Sequence, residues 1–246
     1  MRSQTSIGVW ALAALLLMSG CASREQAQAP ATATDRDFRQ LMEAGRSLLV
    51  DYGDAADARQ LFAQALDRAY EMNDAAAIAT ASYSEAATLA RLRRTDEALA
   101  VLAQPGVELP PDPQGRRSLL AAAVHLQRED ADAAERALDE AEALLESGAD
   151  RASQRALIAL ARGRVGLLRG EASAARSAIE TTAGAGSPAV RARRQRVIGM
   201  LAEREGRAAE AVRAFDAEAE AARRGKNWYG AAEATARAAS ASVAAE

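Results

Sequence analysis

The chain has 246 residues, with 31 Lys and Arg against 34 Asp and Glu, which gives a formal net charge of −3. This balance excludes the broad basic surface with which proteins bind nucleic acid. Aromatic residues make up only 4% of the chain, whereas alanine, leucine, arginine and glutamate, which favour helices, are abundant. We therefore predict an all-α protein.

The N-terminal segment has the layout of a secretion signal. Arg2 is followed by an apolar run over residues 7–18, and Ser19, Gly20 and Cys21 come next. A membrane-spanning helix needs about 20 apolar residues, so this run is too short to be one. A basic N-terminus, a short apolar run and small residues before a cleavage site are typical of a signal peptide.

Cys21 is the only cysteine of the chain, so it cannot form an internal disulfide. The sequence Met18-Ser19-Gly20-Cys21 resembles the lipobox of bacterial lipoproteins. The resemblance implies that residues 1–20 are removed and that Cys21 becomes a lipid-modified N-terminus. Ala22, in place of an aspartate, implies the outer membrane, with the protein facing the periplasm. The alternative is ordinary signal cleavage after Ala22.

Residues 21–34 follow as a segment without an apolar face, rich in Ala, Gln, Thr and Pro, and we predict a flexible tether. Folded sequence is predicted from Asp35, which is a suitable helix N-cap, to residue 246.

Five segments of this domain share one pattern: a polar turn, an alanine, and a large apolar residue four positions later. An i, i+4 pair lies on one helix face, so each segment is predicted to open a helix with a small and a bulky residue side by side. The pairs are Ala58 and Phe62, Ala98 and Leu102, Ala134 and Leu138, Ala175 and Ile179, and Ala211 and Phe215.

Each of these helices is preceded by another amphipathic run, and Ala122, Gly163 and Gly199 lie 12 residues before the aligned alanine. This pattern resembles tetratricopeptide repeats. The resemblance implies a right-handed α-α superhelix of about five hairpins, closed by a capping helix over residues 227–244. Trp228 and Tyr229 are expected to seal the last hairpin, and the alternative is that they form a contact site. The alternatives are an irregular helical bundle and a long coiled coil.

The sequence offers little catalytic chemistry. His125 is the only histidine, no phosphate-binding glycine loop is found, and Cys21 is assigned to lipidation. We therefore predict no enzyme activity, no cofactor and no metal site. Paired carboxylates acting on cell-wall polymer remain the weakest alternative.

One arginine cluster is a candidate binding site. Arg193 and Arg196 share a helix face, and in tetratricopeptide repeats the first helix of each pair lines the concave groove. The groove is therefore expected to hold Arg116, Arg164, Arg193, Arg196 and Arg204. Arginine forks bind carboxylates in a bidentate manner, which suits an acidic peptide or a chain-terminal carboxylate. The alternatives are a solvated basic face near membrane phospholipid and simple pairing of the arginines with Glu203 and Glu205.

These observations predict an outer-membrane lipoprotein that acts as a scaffold for envelope proteins, with a lipid anchor and no nucleic-acid partner. The second hypothesis is a structural spacer or an oligomeric subunit of an envelope complex.

Replacing Cys21 with serine should move the protein from the membrane fraction to the soluble fraction, because the serine oxygen cannot take the place of the thiol in lipid transfer. Fractionation with metabolic labelling by a palmitate analogue measures this. An unlabelled wild-type protein that still sediments with membranes would contradict the lipoprotein assignment.

Overall fold

The computed structural model describes residues 35–104, 109–144, 151–184 and 186–244, and the predicted signal peptide, Cys21 and the tether lie outside these ranges. Within them the regular structure is entirely helical. The helices are α1 (Arg36–Ser47), α2 (Ala55–Glu71), α3 (Ala75–Arg91), α4 (Thr95–Ala103), α5 (Pro111–Gln127), α6 (Ala131–Leu144), α7 (Arg151–Arg169), α8 (Ala172–Thr181), α9 (Pro188–Arg204), α10 (Ala208–Arg224) and α11 (Trp228–Val243). A π-helical turn, Leu48–Tyr52, continues α1.

The helices form five antiparallel pairs, α1/α2 to α9/α10, followed by α11. Each helix packs on the next one along the chain, and the first helices α3, α5, α7 and α9 also pack on one another in that order. Packing mainly between neighbouring repeats is the mark of a solenoid. The prediction of an all-α, repeated-hairpin fold with a final capping helix is confirmed.

The five hairpin turns share one geometry. In each, the residue five positions before the aligned alanine has a positive φ, between 59° and 89°. A left-handed residue just past a helix end redirects the chain and lets its amide bind the last carbonyls. These residues are Gly53, Arg93, Glu129, Gly170 and Gly206.

Close contact at small residues holds each hairpin together. All five aligned alanines are completely buried, with 0% exposure. A Cβ added to Gly45 would lie 2.8 Å from Phe62 Cε1, and one added to Gly199 would lie 2.4 Å from Phe215 Cε1. The phenylalanine rings therefore occupy the space that a side chain on the facing helix would need.

The first hairpin differs from the others by one residue. Gly45 lies 13 residues before Ala58, whereas Ala86, Ala122, Gly163 and Gly199 lie 12 before their alanines. The π-helical turn Leu48–Tyr52 falls between Gly45 and Ala58. Because a π turn accommodates one extra residue, it keeps Gly45 opposite Phe62 despite the longer spacing.

Gly199→Ala should destabilise the protein by about 1–3 kcal/mol, because the added methyl group overpacks the contact with Phe215. Phe215→Leu should reduce stability less in the Gly199→Ala variant than in the wild-type chain, because the smaller leucine relieves the clash with the added methyl group. Denaturant unfolding of the four proteins gives the coupling energy.

Gly184→Ala is the matched control, because its added Cβ would meet no atom within 4 Å, and it should change stability by less than about 0.5 kcal/mol. Equal stability of the Gly199→Ala and Gly184→Ala variants would contradict the proposed contact.

Candidate functional site

The inner side of the solenoid encloses a cavity of about 570 Å³. Its walls are formed by the first helices α3, α5, α7 and α9, by the C-terminal half of α10 and by α11. Many charged side chains line this cavity, and we take it as the candidate site.

The lining follows from the repeat. On α3, α5, α7 and α9, the residue 11 positions before the aligned alanine lines the cavity; these residues are Ala87, Ala123, Arg164 and Met200. Three residues that lie seven positions before an aligned alanine also line the cavity: Arg91, Gln127 and Leu168. Residues four apart lie one above the other on a helix, so each first helix contributes a stripe. On α11 the equivalent stripe is Tyr229, Glu233 and Arg237.

The cavity is positively charged although the chain is acidic overall. Six arginines and three glutamates line it, which gives a formal excess of three positive charges in a protein whose net charge is −3. The arginines are Arg91, Arg93, Arg164, Arg193, Arg196 and Arg237, and the glutamates are Glu129, Glu218 and Glu233.

Some of these arginines are neutralised by buried glutamates. Glu218 is only 1% exposed, and it accepts a hydrogen bond of 2.6 Å from Arg196 Nε and a longer contact of 3.4 Å from Arg237 Nη1. A buried carboxylate is costly unless it is paired in this way. Arg196 is therefore occupied in holding Glu218, which joins α9 to α10.

Glu233 connects α11 to the same group. Its carboxylate lies 3.1 Å from Arg237, 3.4 Å from Arg196 and 2.7 Å from Arg93. Burial raises the pKa of Glu233, but Arg196, Arg237 and Arg93 together outweigh burial, so its pKa lies below the ordinary glutamate value. Glu233 therefore stays ionised at neutral pH.

Arg164 and Arg193 have no such partner: no carboxylate among the described residues lies within 4.0 Å of either guanidinium. Arg164 Nε is buried and has no hydrogen-bond acceptor among those residues. Burial, followed by repulsion from Arg196, Arg237 and Arg193, lowers the pKa of Arg164 to about 9. Arg193, in contrast, is exposed to solvent.

Both guanidiniums nevertheless remain protonated at neutral pH. Two adjacent cations in a concave, partly desolvated site repel each other, and an anion placed between them would relieve that repulsion. The site is therefore suited to binding a carboxylate.

The solenoid closes on itself at this cavity. Tyr229 Oη, at the start of α11, donates a hydrogen bond of 2.8 Å to the Arg91 carbonyl oxygen at the end of α3, and Arg93 pairs with Glu233 at 2.7 Å. Trp228 and Tyr229 are 54% and 39% exposed. Rather than sealing the last hairpin, Tyr229 joins the two ends of the cavity wall.

The structure brings three of the five predicted arginines together, since Arg164, Arg193 and Arg196 all line the cavity. The other two lie outside it. Arg116 is exposed and pairs with Asp112 one turn earlier on α5, at 2.8 Å. Arg204 donates to the Leu167 carbonyl oxygen at 3.0 Å, at the end of α7.

His125 lies on α5 and is half-buried, and burial lowers its pKa. Its Nδ1 atom has no hydrogen-bond partner among the described residues. Those residues contain no group of three or more His, Cys, Asp or Glu side chains that could hold a metal ion. None of their helices is long and apolar enough to cross a membrane.

Comparison of the chain with protein-family models gave no match, and a search of curated proteins gave none either.

Tyr229→Phe should loosen α11, because it removes the hydrogen bond to the Arg91 carbonyl and leaves only the Arg93–Glu233 pair at that contact. Hydrogen exchange should show less protection at the start of α11 and unchanged protection in α5 to α8. The matched control is Tyr70→Phe, which removes a hydroxyl of similar exposure that binds Gln104. Equal exchange of α11 in both variants would contradict the closure.

Proposed function

We propose that this protein is an interaction scaffold whose arginine-lined cavity binds an acidic segment of a partner protein. The observation that carries the proposal is the pair of cavity arginines, Arg164 and Arg193, that lack a carboxylate within the described chain. Internal glutamates already neutralise Arg93, Arg196 and Arg237. Arg164 and Arg193 are therefore left for a ligand, together with Arg91, which also has no carboxylate within 4.0 Å among the described residues. Arginine forks bind carboxylates at two points and so fix their orientation.

The excess charge also favours the encounter with an acidic partner. Charges gathered in a cleft with low-dielectric walls focus the electric field and raise the local concentration of anions. Each direct pair is worth about 1 kcal/mol in water and about 4 kcal/mol at an effective dielectric constant of 20, for charges 4 Å apart. An excess of three positive charges is matched by a ligand with two or three acidic groups.

The proposed location is the outer membrane, with the lipid on Cys21 as the anchor. Its support is the sequence of residues 18–21. The 14 residues of the tether, 21–34, would reach at most about 50 Å when fully extended. Tethering at this distance would raise the effective concentration of the scaffold for envelope proteins near the membrane.

The test uses Arg164→Gln combined with Arg193→Gln in the full-length protein in cells. Both side chains keep hydrogen-bonding capacity but lose charge, so capture of crosslinked envelope partners should fall at least about tenfold. The control is Arg136→Gln with Arg213→Gln, two exposed arginines of the second helices α6 and α10. Arg196 is left intact, because its removal would strand buried Glu218.

Loss of capture in the cavity variant alone supports the proposal. Equal capture by both variants and the wild type would contradict it. Capture of further copies of this chain only, unaffected by either variant, would instead favour a structural spacer.

A further inference from the structure

A small apolar slot opens from the floor of the cavity, between α5, α7 and α9. Its volume is about 50 Å³. Its apolar wall consists of Leu119, Ala123, Leu126, Leu157, Leu160, Ala161 and Val197, and the only charged residues that line it are Arg164, Arg193 and Arg196.

The size of the slot limits what it can hold. A water-sized group needs about 10–15 Å³ of such volume, so the slot admits about four heavy atoms. An aliphatic side chain such as that of leucine or valine matches this number, and an aromatic ring does not. The wall offers no polar group apart from the three guanidiniums, so a polar side chain of the same size would lose its hydrogen bonds there.

The arginines determine what must lie next to that side chain. Arg164 and Arg193 line both the slot and the wider cavity, and no carboxylate of the described chain lies within 4.0 Å of them. A ligand that fills the slot with an aliphatic group therefore brings its adjoining atoms directly against two unpaired cations.

We infer that the slot is the specificity subsite of the cavity, and that it binds an aliphatic side chain with a carboxylate directly beside it. The inference rests on the proposed function, because it specifies the acidic segment that the cavity binds. The arginines attract any acidic segment. The slot selects among acidic segments, because it favours those that can insert an aliphatic side chain. The carboxylate comes either from a neighbouring Asp or Glu or from the terminus of the partner chain.

Four fluorescein-labelled peptides of equal charge separate these contributions. GDELEDG-amide carries an internal leucine between acidic residues, and GDEGEL carries a terminal leucine with a free carboxylate. GDEGEDG-amide and GDEGEG are the glycine analogues. Binding to the full-length protein in detergent is measured by fluorescence anisotropy.

A leucine peptide should bind at least about tenfold more tightly than its glycine analogue, since each buried methylene contributes about fourfold in affinity. A preference for leucine in the amide peptides indicates that a neighbouring Asp or Glu supplies the carboxylate. A preference in the free-acid peptides indicates that the chain terminus supplies it.

Ala123→Leu should remove the leucine preference while the glycine peptides keep their affinity, because the new side chain fills the slot and leaves the arginines in place. The matched control is Ala87→Leu, which stands at the same repeat position one hairpin earlier and lines the cavity but not the slot. It should keep the preference. Ala161→Val, a smaller change on the opposite wall, is the second variant should Ala123→Leu not fold.

Equal binding of leucine and glycine peptides to the wild-type protein would overturn the inference and leave the acidic-segment function standing. A leucine preference that survives in Ala123→Leu and in Ala161→Val would also overturn it. Failure of all four peptides to bind would contradict the proposed function itself.

Discussion

The close approach of paired helices at small residues is the constraint on which the rest of the structure depends. Alanine buries little area by itself, so a chain with so few large side chains is stable only if its helices lie close along their length. The five aligned alanines are all fully buried, and Gly45 and Gly199 face phenylalanine rings. Since the aligned alanine is buried in every hairpin, the first helices α3, α5, α7 and α9 stack side by side and their inner stripes combine into one wall.

That wall determines the chemistry of the cavity. A solenoid of hairpins supports its inner side chains from behind, so arginines on separate helices are held near one another despite their repulsion. Glu218 and Glu233 offset part of this charge and join α9, α10 and α11. Arg91, Arg164 and Arg193 are left without a carboxylate among the described residues, and they account for the excess positive charge of the cavity.

Much of this fold can be predicted from the sequence, because the turn, the alanine and the bulky residue all lie within a few positions of one another. The cavity stripe follows from the same register: Arg91, seven residues before Ala98, could have been found by that spacing. Arg204 has the same position before Ala211, yet it binds the Leu167 carbonyl. Glu218 and Arg237 lie outside the first-helix stripes, and their pairing depends on how α11 meets α3 and α10. Which carboxylate or carbonyl oxygen an arginine binds depends on distances in three dimensions, and the spacing of residues in the sequence does not give those distances.

The central claim is that an acidic ligand binds to Arg164 and Arg193, the two unpaired arginines that line both the slot and the wider cavity. Nuclear magnetic resonance of the arginine Nε–Hε groups, during titration of the full-length protein with an acidic peptide, tests it most directly. The account predicts large, saturable shifts at Arg164 and Arg193, smaller ones at Arg196 and Arg237, and almost none at exposed Arg136 and Arg213. Shifts of similar size at all arginines, growing without saturation, would show that the peptide only screens the surface and would contradict the account.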